Sequence, residues 1–176
     1  NALASNTTGN NNTAMGRDSL NANTTASNNT AVGYAALADN TTGDENNAIG
    51  GGALGNNTTG VDNDAQGYHA LFDNTTGSNN VAMGNRALAT NTTGATNTAV
   101  GSGALDANTT GATNTAVGGG AGGGITTGSG NTTLGERSGN YSTSLTTGSN
   151  NTLVGSLTYI DAVDSVGALV LGHAVQ

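Results

Sequence analysis

The sequence predicts an all-β fold, a parallel β-solenoid of about ten seventeen-residue turns, and three observations predict it. A glycine returns every seventeen residues, at Gly16, Gly33, Gly50, Gly67, Gly84, Gly101, Gly118 and Gly135. Each unit carries two short strand-like stretches separated by Asn/Gly turns, as in Asn29-Thr30-Ala31-Val32-Gly33 and then Asn40-Thr41-Thr42-Gly43. A fixed period too short for a helical hairpin, with this punctuation, belongs to a solenoid. Proline is absent, as a stack requires when each backbone N–H is needed to pair one turn with the next. Charged residues at 8% and 30 glycines would by themselves read as disorder, but a disordered tract has no reason to hold one register turn after turn.

Along one turn, the residue before the glycine is large and apolar at every position except Gln66, and Val32, Ile49, Met83, Val100 and Val117 are therefore expected in the core. Four residues after the glycine a leucine recurs, and Leu37, Leu54, Leu71, Leu88 and Leu105 form the second expected core column. Two residues before the glycine stands alanine, from Ala14 to Ala116; alternation in a strand then directs it to the opposite side from its large neighbour. That alanine face is read as a close-approach surface for another chain, against the plainer reading that alanine merely fits a tight interior, and two large groups per turn make a thin core, so a closed homotrimer is expected. Asn12 through Asn151 and Asn6 through Asn108 form two columns whose stacked amides can hydrogen-bond from turn to turn. Gly43, Gly60, Gly77, Gly94 and their equivalents end the second stretch at a bend expected to need positive φ, and Ala26 interrupts that column with a local distortion.

The phrases Asn-Thr-Ala-Val-Gly, Ala-Leu and Asn-Thr-Thr-Gly, running from residue 1 to about residue 155, closely resemble the repeats of trimeric autotransporter adhesin heads. They also resemble the repeat regions of phage and bacterial tail-fibre-type proteins that end in a self-cleaving chaperone domain. The resemblance implies a left-handed parallel β-roll, three copies of which pack about a common axis, and the longer Thr-Thr-bearing unit leans toward the tail-fibre relatives. Two regions are distinguished: regular repeats over 1–139, then irregular last turns over 140–176 with a three-residue insertion between Asn140 and Ser144. The second region is read as a cap or a junction to a following domain, and the opening at Asn1-Ala2-Leu3 as mid-repeat.

Function is bounded first by what is missing. A net charge of −8 without a single lysine does not suit phosphate backbones, so no nucleic-acid partner is expected. No stretch is apolar enough to span a membrane, and cysteine is absent. His69 and His173 have no recurrent serine or carboxylate beside both, and neither an enzyme nor a cofactor is expected. Asp44, Glu45, Asp62 and Asp64 gather in adjacent turns and are the one candidate for a metal, a calcium ion, against the plainer reading of a solvated acidic edge. Variable positions just after the glycine carry the recognition candidates Arg17, Tyr34, Tyr68, His69, Arg86 and Arg137, with the tyrosine rings suited to saccharide contact. The expected function is a non-enzymatic fibre or adhesin segment, extracellular or on a virion, binding a host-cell or surface receptor or glycan. Alternatives are a phage receptor-binding shaft, a self-assembling filament subunit stacked end to end, and an ice-binding solenoid presenting the threonine files that start at Thr7 and Thr8. Asn6, Asn40, Asn57, Asn74, Asn91 and Asn108 also stand in glycosylation sequons.

Overall fold

The computed structural model describes residues 1–140, 145–160 and 162–172. Ten three-residue strands, β1 (Thr13–Met15), β2 (Thr30–Val32), β3 (Asn47–Ile49), β4 (Asp64–Gln66), β5 (Val81–Met83), β6 (Thr98–Val100), β7 (Thr115–Val117), β8 (Thr132–Leu134), β9 (Thr152–Val154) and β10 (Leu169–Leu171), form one parallel sheet in chain order. Each residue faces its repeat equivalent, Ala31 opposite Ala48 and Ala48 opposite Ala65, so the fold is a β-solenoid. Between β8 and β9 the same pairing holds, Thr132 opposite Thr152; the residues that absorb the longer spacing fall at 141–144, outside the described residues.

Only one stretch per turn is a strand. The Thr-Thr stretch is a bend: the Thr41 and Thr42 N–H groups both donate to the Thr58 carbonyl, at 3.0 and 3.3 Å, whereas successive N–H groups of a strand point to opposite neighbours. A third seam runs along the leucine bend, where Leu37 N–H donates to Ala53 at 3.0 Å. Leu20, Leu37, Leu54, Leu71, Leu88 and Leu105 have φ between 48 and 54°, a left-handed conformation that costs a side-chain-bearing residue about 1–2 kcal/mol. It reverses the chain so that two consecutive residues, such as Ala36 and Leu37, both point inward and are fully buried.

The strand's facing corrects the sequence expectation. In β2 to β7 the central alanine is buried and its two neighbours lie outside. Leu37, Leu54, Leu71, Leu88 and Leu105 are core as expected, but Val32 and Val100 are half-buried, and Ile49, Met83 and Val117 are exposed at 43, 39 and 36%. The reason is width. One turn already holds a leucine, a second alanine such as Ala36 and buried asparagines, and opposite them only a methyl group fits. The alanine face is the interior of this chain, so it is unavailable to another one.

Between the apolar files the interior is polar and satisfied. The Asn57 amide donates to Asn40 Oδ1 at 2.9 Å and to the Gly60 carbonyl at 3.0 Å; Asn74 repeats this on Asn57 and Gly77. In the other column Asn63 Nδ2 donates to Asn46 Oδ1 at 3.0 Å and to Gly77 at 2.9 Å. From Asn23 and Asn29 onward both ladders are buried, in keeping with the stacked-amide expectation. The Gly43, Gly60, Gly77 column differs from expectation, because none of these residues has positive φ. They are glycine because of close approach: a Cβ on Gly60 would lie 2.3 Å from the Gly77 carbonyl oxygen and 2.5 Å from Asn57 Oδ1. Ala26 does carry a Cβ there, and the seam above it is stretched, with Thr25 N–H to Thr41 at 3.5 Å and Asn40 Nδ2 to Asn23 Oδ1 at 3.3 Å.

Toward the C-terminal turns the core is rebuilt with the same volume in different places. Gly122 and Gly139 replace the leucine, while Ile125 and Leu145 occupy the asparagine column and Thr133 and Leu153 the alanine column, all buried. A Cβ on Gly122 would meet Leu105 Cδ2 at 3.0 Å, Thr133 Oγ1 at 3.0 Å and Ile125 Cδ1 at 3.2 Å, so the vacated space is filled. Two polar costs remain among the described residues: Asn108 Oδ1 has lost the next amide of its ladder, and Thr133 Oγ1 sits in the alanine column, both buried without a partner.

Candidate recognition cleft

The recognition candidates come from the outer positions of the leucine bend, since its inner ones are committed to packing. In the turn after Gly50 the four outward positions are Gly51, Gly52, Gly55 and Asn56. The turn before it presents Tyr34, Ala35, Ala38 and Asp39, and the turn after it Tyr68, His69, Phe72 and Asp73. A missing layer of side chains between two filled ones leaves a surface cleft of about 320 Å³, lined by Tyr34, Asp39, Asn56, Tyr68, His69 and Phe72 with the glycines between.

Its lower wall is ordered by ring packing. Tyr68 and His69 stack with centroids 4.0 Å apart and 12° between planes, and His69 stacks on Phe72 at 4.4 Å and 16°. The glycines admit these rings: a Cβ on Gly52 would lie 2.6 Å from His69 Cδ2, and one on Gly55 2.8 Å from Phe72 Cε2. At the rim Asn56 Nδ2 donates to Asp73 Oδ1 at 3.0 Å, and the exposed Asp39 carboxylate borders the opening. On the far side the Arg17 guanidinium lies 4.6 Å from the Tyr34 ring centroid, and Tyr34, then Asp18, hold its pKa above the usual value. Arginine stacking of this kind steadies the exposed ring that forms the upper wall.

Four of the six recognition candidates thus come together, Arg17, Tyr34, Tyr68 and His69, while Arg86 pairs with Asp106 at 3.3 Å and Arg137 stands exposed near Gly120. Phe72, Asp39, Asn56 and the three glycines were missed by sequence reasoning. Their signal was the coincidence of glycine at three of the four outward positions between two aromatic turns. His173 lies outside the described residues.

The acidic candidates divide. Glu45 sits against Asp62, whose hydrogen bond and charge, with desolvation and Asp44, push its carboxyl above the usual range. Asp44 caps the Ser27 N–H at 2.7 Å, and Asp64 faces outward on β4, accepting from Asn47 and Gln66. Among the described residues no three acidic or histidine groups converge on one point, and no helix is long and apolar enough to cross a membrane. Of the threonine files, the one starting at Thr7 is occupied, since Thr41 Oγ1 donates to Thr58 and Thr58 Oγ1 to Thr75. The file from Thr8 through Thr110 is exposed. The sequon asparagines Asn40, Asn57, Asn74, Asn91 and Asn108 are fully buried, which closes them to modification in the folded chain.

No family model, curated protein or solved structure matches the chain.

Proposed function

We propose that the chain is a homotrimeric, non-enzymatic structural segment of an extracellular or virion fibre or adhesin, holding its outer bends for attachment to a surface receptor or glycan. The observation that carries this reading is the apolar file on the outer face of the sheet. Met15, Val32, Ile49, Met83, Val100, Val117, Leu134, Val154 and Leu171 rise along it with only Gln66 intervening, and Met15, Ile49, Met83, Leu134 and Leu171 are each more than a third exposed. A continuous file of this length on the outer face of the sheet is larger than the isolated apolar contacts a monomer tolerates. Copies of the same chain, having the same rise per turn, match it along its whole length. The trimer therefore rests on the exposed valine and isoleucine file, in place of the alanine file. Resemblance to adhesin-head and tail-fibre repeats supports the same assembly.

Light scattering on the purified chain is expected to give three times the chain mass, and Ile49→Asp with Val100→Asp to give one chain mass with the solenoid intact. Beads coated with the trimer are expected to adhere to cells or cell-wall material; failure to adhere to any surface would remove the attachment role. The exposed Thr8 to Thr110 file favours ice binding as a second reading, and thermal hysteresis at millimolar chain tests it.

A further inference from the structure

We propose that the cleft between Tyr34 and Tyr68 is a binding site for one uncharged pyranose ring of a glycan, an inference that rests on the attachment role above and names its ligand. A flat solenoid surface carries few concavities, because each turn normally repeats the bulk of the last. Here the concavity is built by sequence: Gly51, Gly52 and Gly55 remove one layer, and the layers on either side are aromatic. A second turn has glycine at the same three outward positions, Gly119, Gly120 and Gly123, but the turn before it presents Ser102, Gly103 and Asp106 there, with no ring to match Tyr34. Glycine alone therefore does not make the site; the rings do.

Three features of the lining select the ligand. Aromatic rings offer electron-rich surface to the C–H groups of a pyranose. The rim supplies hydroxyl partners of the right kind, the Asp39 carboxylate, the Asn56 and Asp73 pair and the His69 ring. Asp39 and Asp73 are the charges beside the opening, and the guanidiniums of the two flanking turns are engaged, Arg17 against Tyr34 and Asp18 and Arg86 against Asp106, so an anionic sugar would meet repulsion. At about 320 Å³ the cleft stands at the small end of ligand sites, which suits one ring with its neighbours in solvent.

Gly51 gives a clean test. Its φ is not in the left-handed region, and an added Cβ would meet only Tyr68, at 3.5 and 3.9 Å. Tyrosine already stands at this position in the turns on either side. Gly51→Tyr is therefore expected to fold normally and to fill the cleft. On an array of neutral and sialylated oligosaccharides, the trimer is expected to bind at least one neutral pyranose-terminated glycan, with saturation transfer by NMR to one ring. Gly51→Tyr and Tyr68→Ala should each weaken this binding at least tenfold with thermal unfolding unchanged within a few degrees, and Gly119→Tyr in the second glycine turn should leave it intact. No neutral glycan bound, preference for sialylated glycans, or equal binding by Gly51→Tyr would overturn the proposal. If Gly51→Tyr loses glycan binding but still coats beads that adhere to cells, the cleft stands and attachment lies elsewhere. Beads that adhere while the array shows no glycan bound would sink the cleft and leave the attachment role.

Discussion

Asn57 illustrates how much one polar residue carries in this core. Its amide spends both hydrogens, on Asn40 and Gly60, and its oxygen receives Asn74. Asn57→Ala strands the Asn40 oxygen and one hydrogen of the Asn74 amide, whose other hydrogen stays on Gly77, and a cost of about 1–3 kcal/mol per stranded group is expected in chemical denaturation. Gly60→Ala is expected to destabilise by roughly 1–3 kcal/mol through overpacking, and Ala26 shows its form, a stretched seam in place of a broken one. Glu45 predicts a pH response. Its folded pKa is raised, with Asp62 the first cause, so the folded chain takes up the proton before the unfolded chain does. Its contribution to stability is fully present below the ordinary glutamate value and is lost as pH rises through the raised folded value. Glu45→Gln should flatten the thermal-stability profile across that acid window, and an unchanged profile would show that the pair is not coupled.

At the scale of one turn, interior volume is conserved while its source moves. Gly122→Leu alone places a Cβ 3.0 Å from both Leu105 and Thr133 and is expected to destabilise by about 1–3 kcal/mol. Combined with Ile125→Asn and Thr133→Ala it recreates a regular turn and supplies the amide that Asn108 Oδ1 lacks. Stability should then recover, a non-additivity expected of contacting residues; a triple variant less stable than Gly122→Leu would refute the exchange. Gly122 suits the leucine backbone because its φ of 58° already matches the 52° of Leu105. Both the Gly33 and the Leu37 columns were legible as periodic residues. That leucine sits in a left-handed bend was not, since a bulky residue there runs against intrinsic preference and is held by the packing on both sides.

For the molecule as a whole, every turn rests on its neighbours and none is stable alone. Leu54→Asp places an unpaired charge at a fully buried position and is expected to abolish folding, seen as loss of the β circular dichroism signal. Ile49→Asp, five residues earlier in the chain, is expected to leave the turn folded and break only assembly. Similar outcomes for the two would mean that the strand faces have been assigned the wrong way round. The candidate cleft belongs to this scale too, because it exists only between turns: Tyr34 and Tyr68 are distant in sequence and become two walls through the stack.

By itself the sequence determined the turn, its seventeen-residue length, the parallel in-register stacking, the leucine core and the amide ladders, because each is a repeated local requirement that leaves a repeated letter. Alternation along Thr30-Ala31-Val32 showed that two faces exist, yet parity has no sign in a sequence when both faces carry apolar residues. Tertiary structure decided it through the width of the interior: with Leu37, Ala36 and two asparagines already inside, only the alanine methyl fits, and valine, isoleucine and methionine are turned outward.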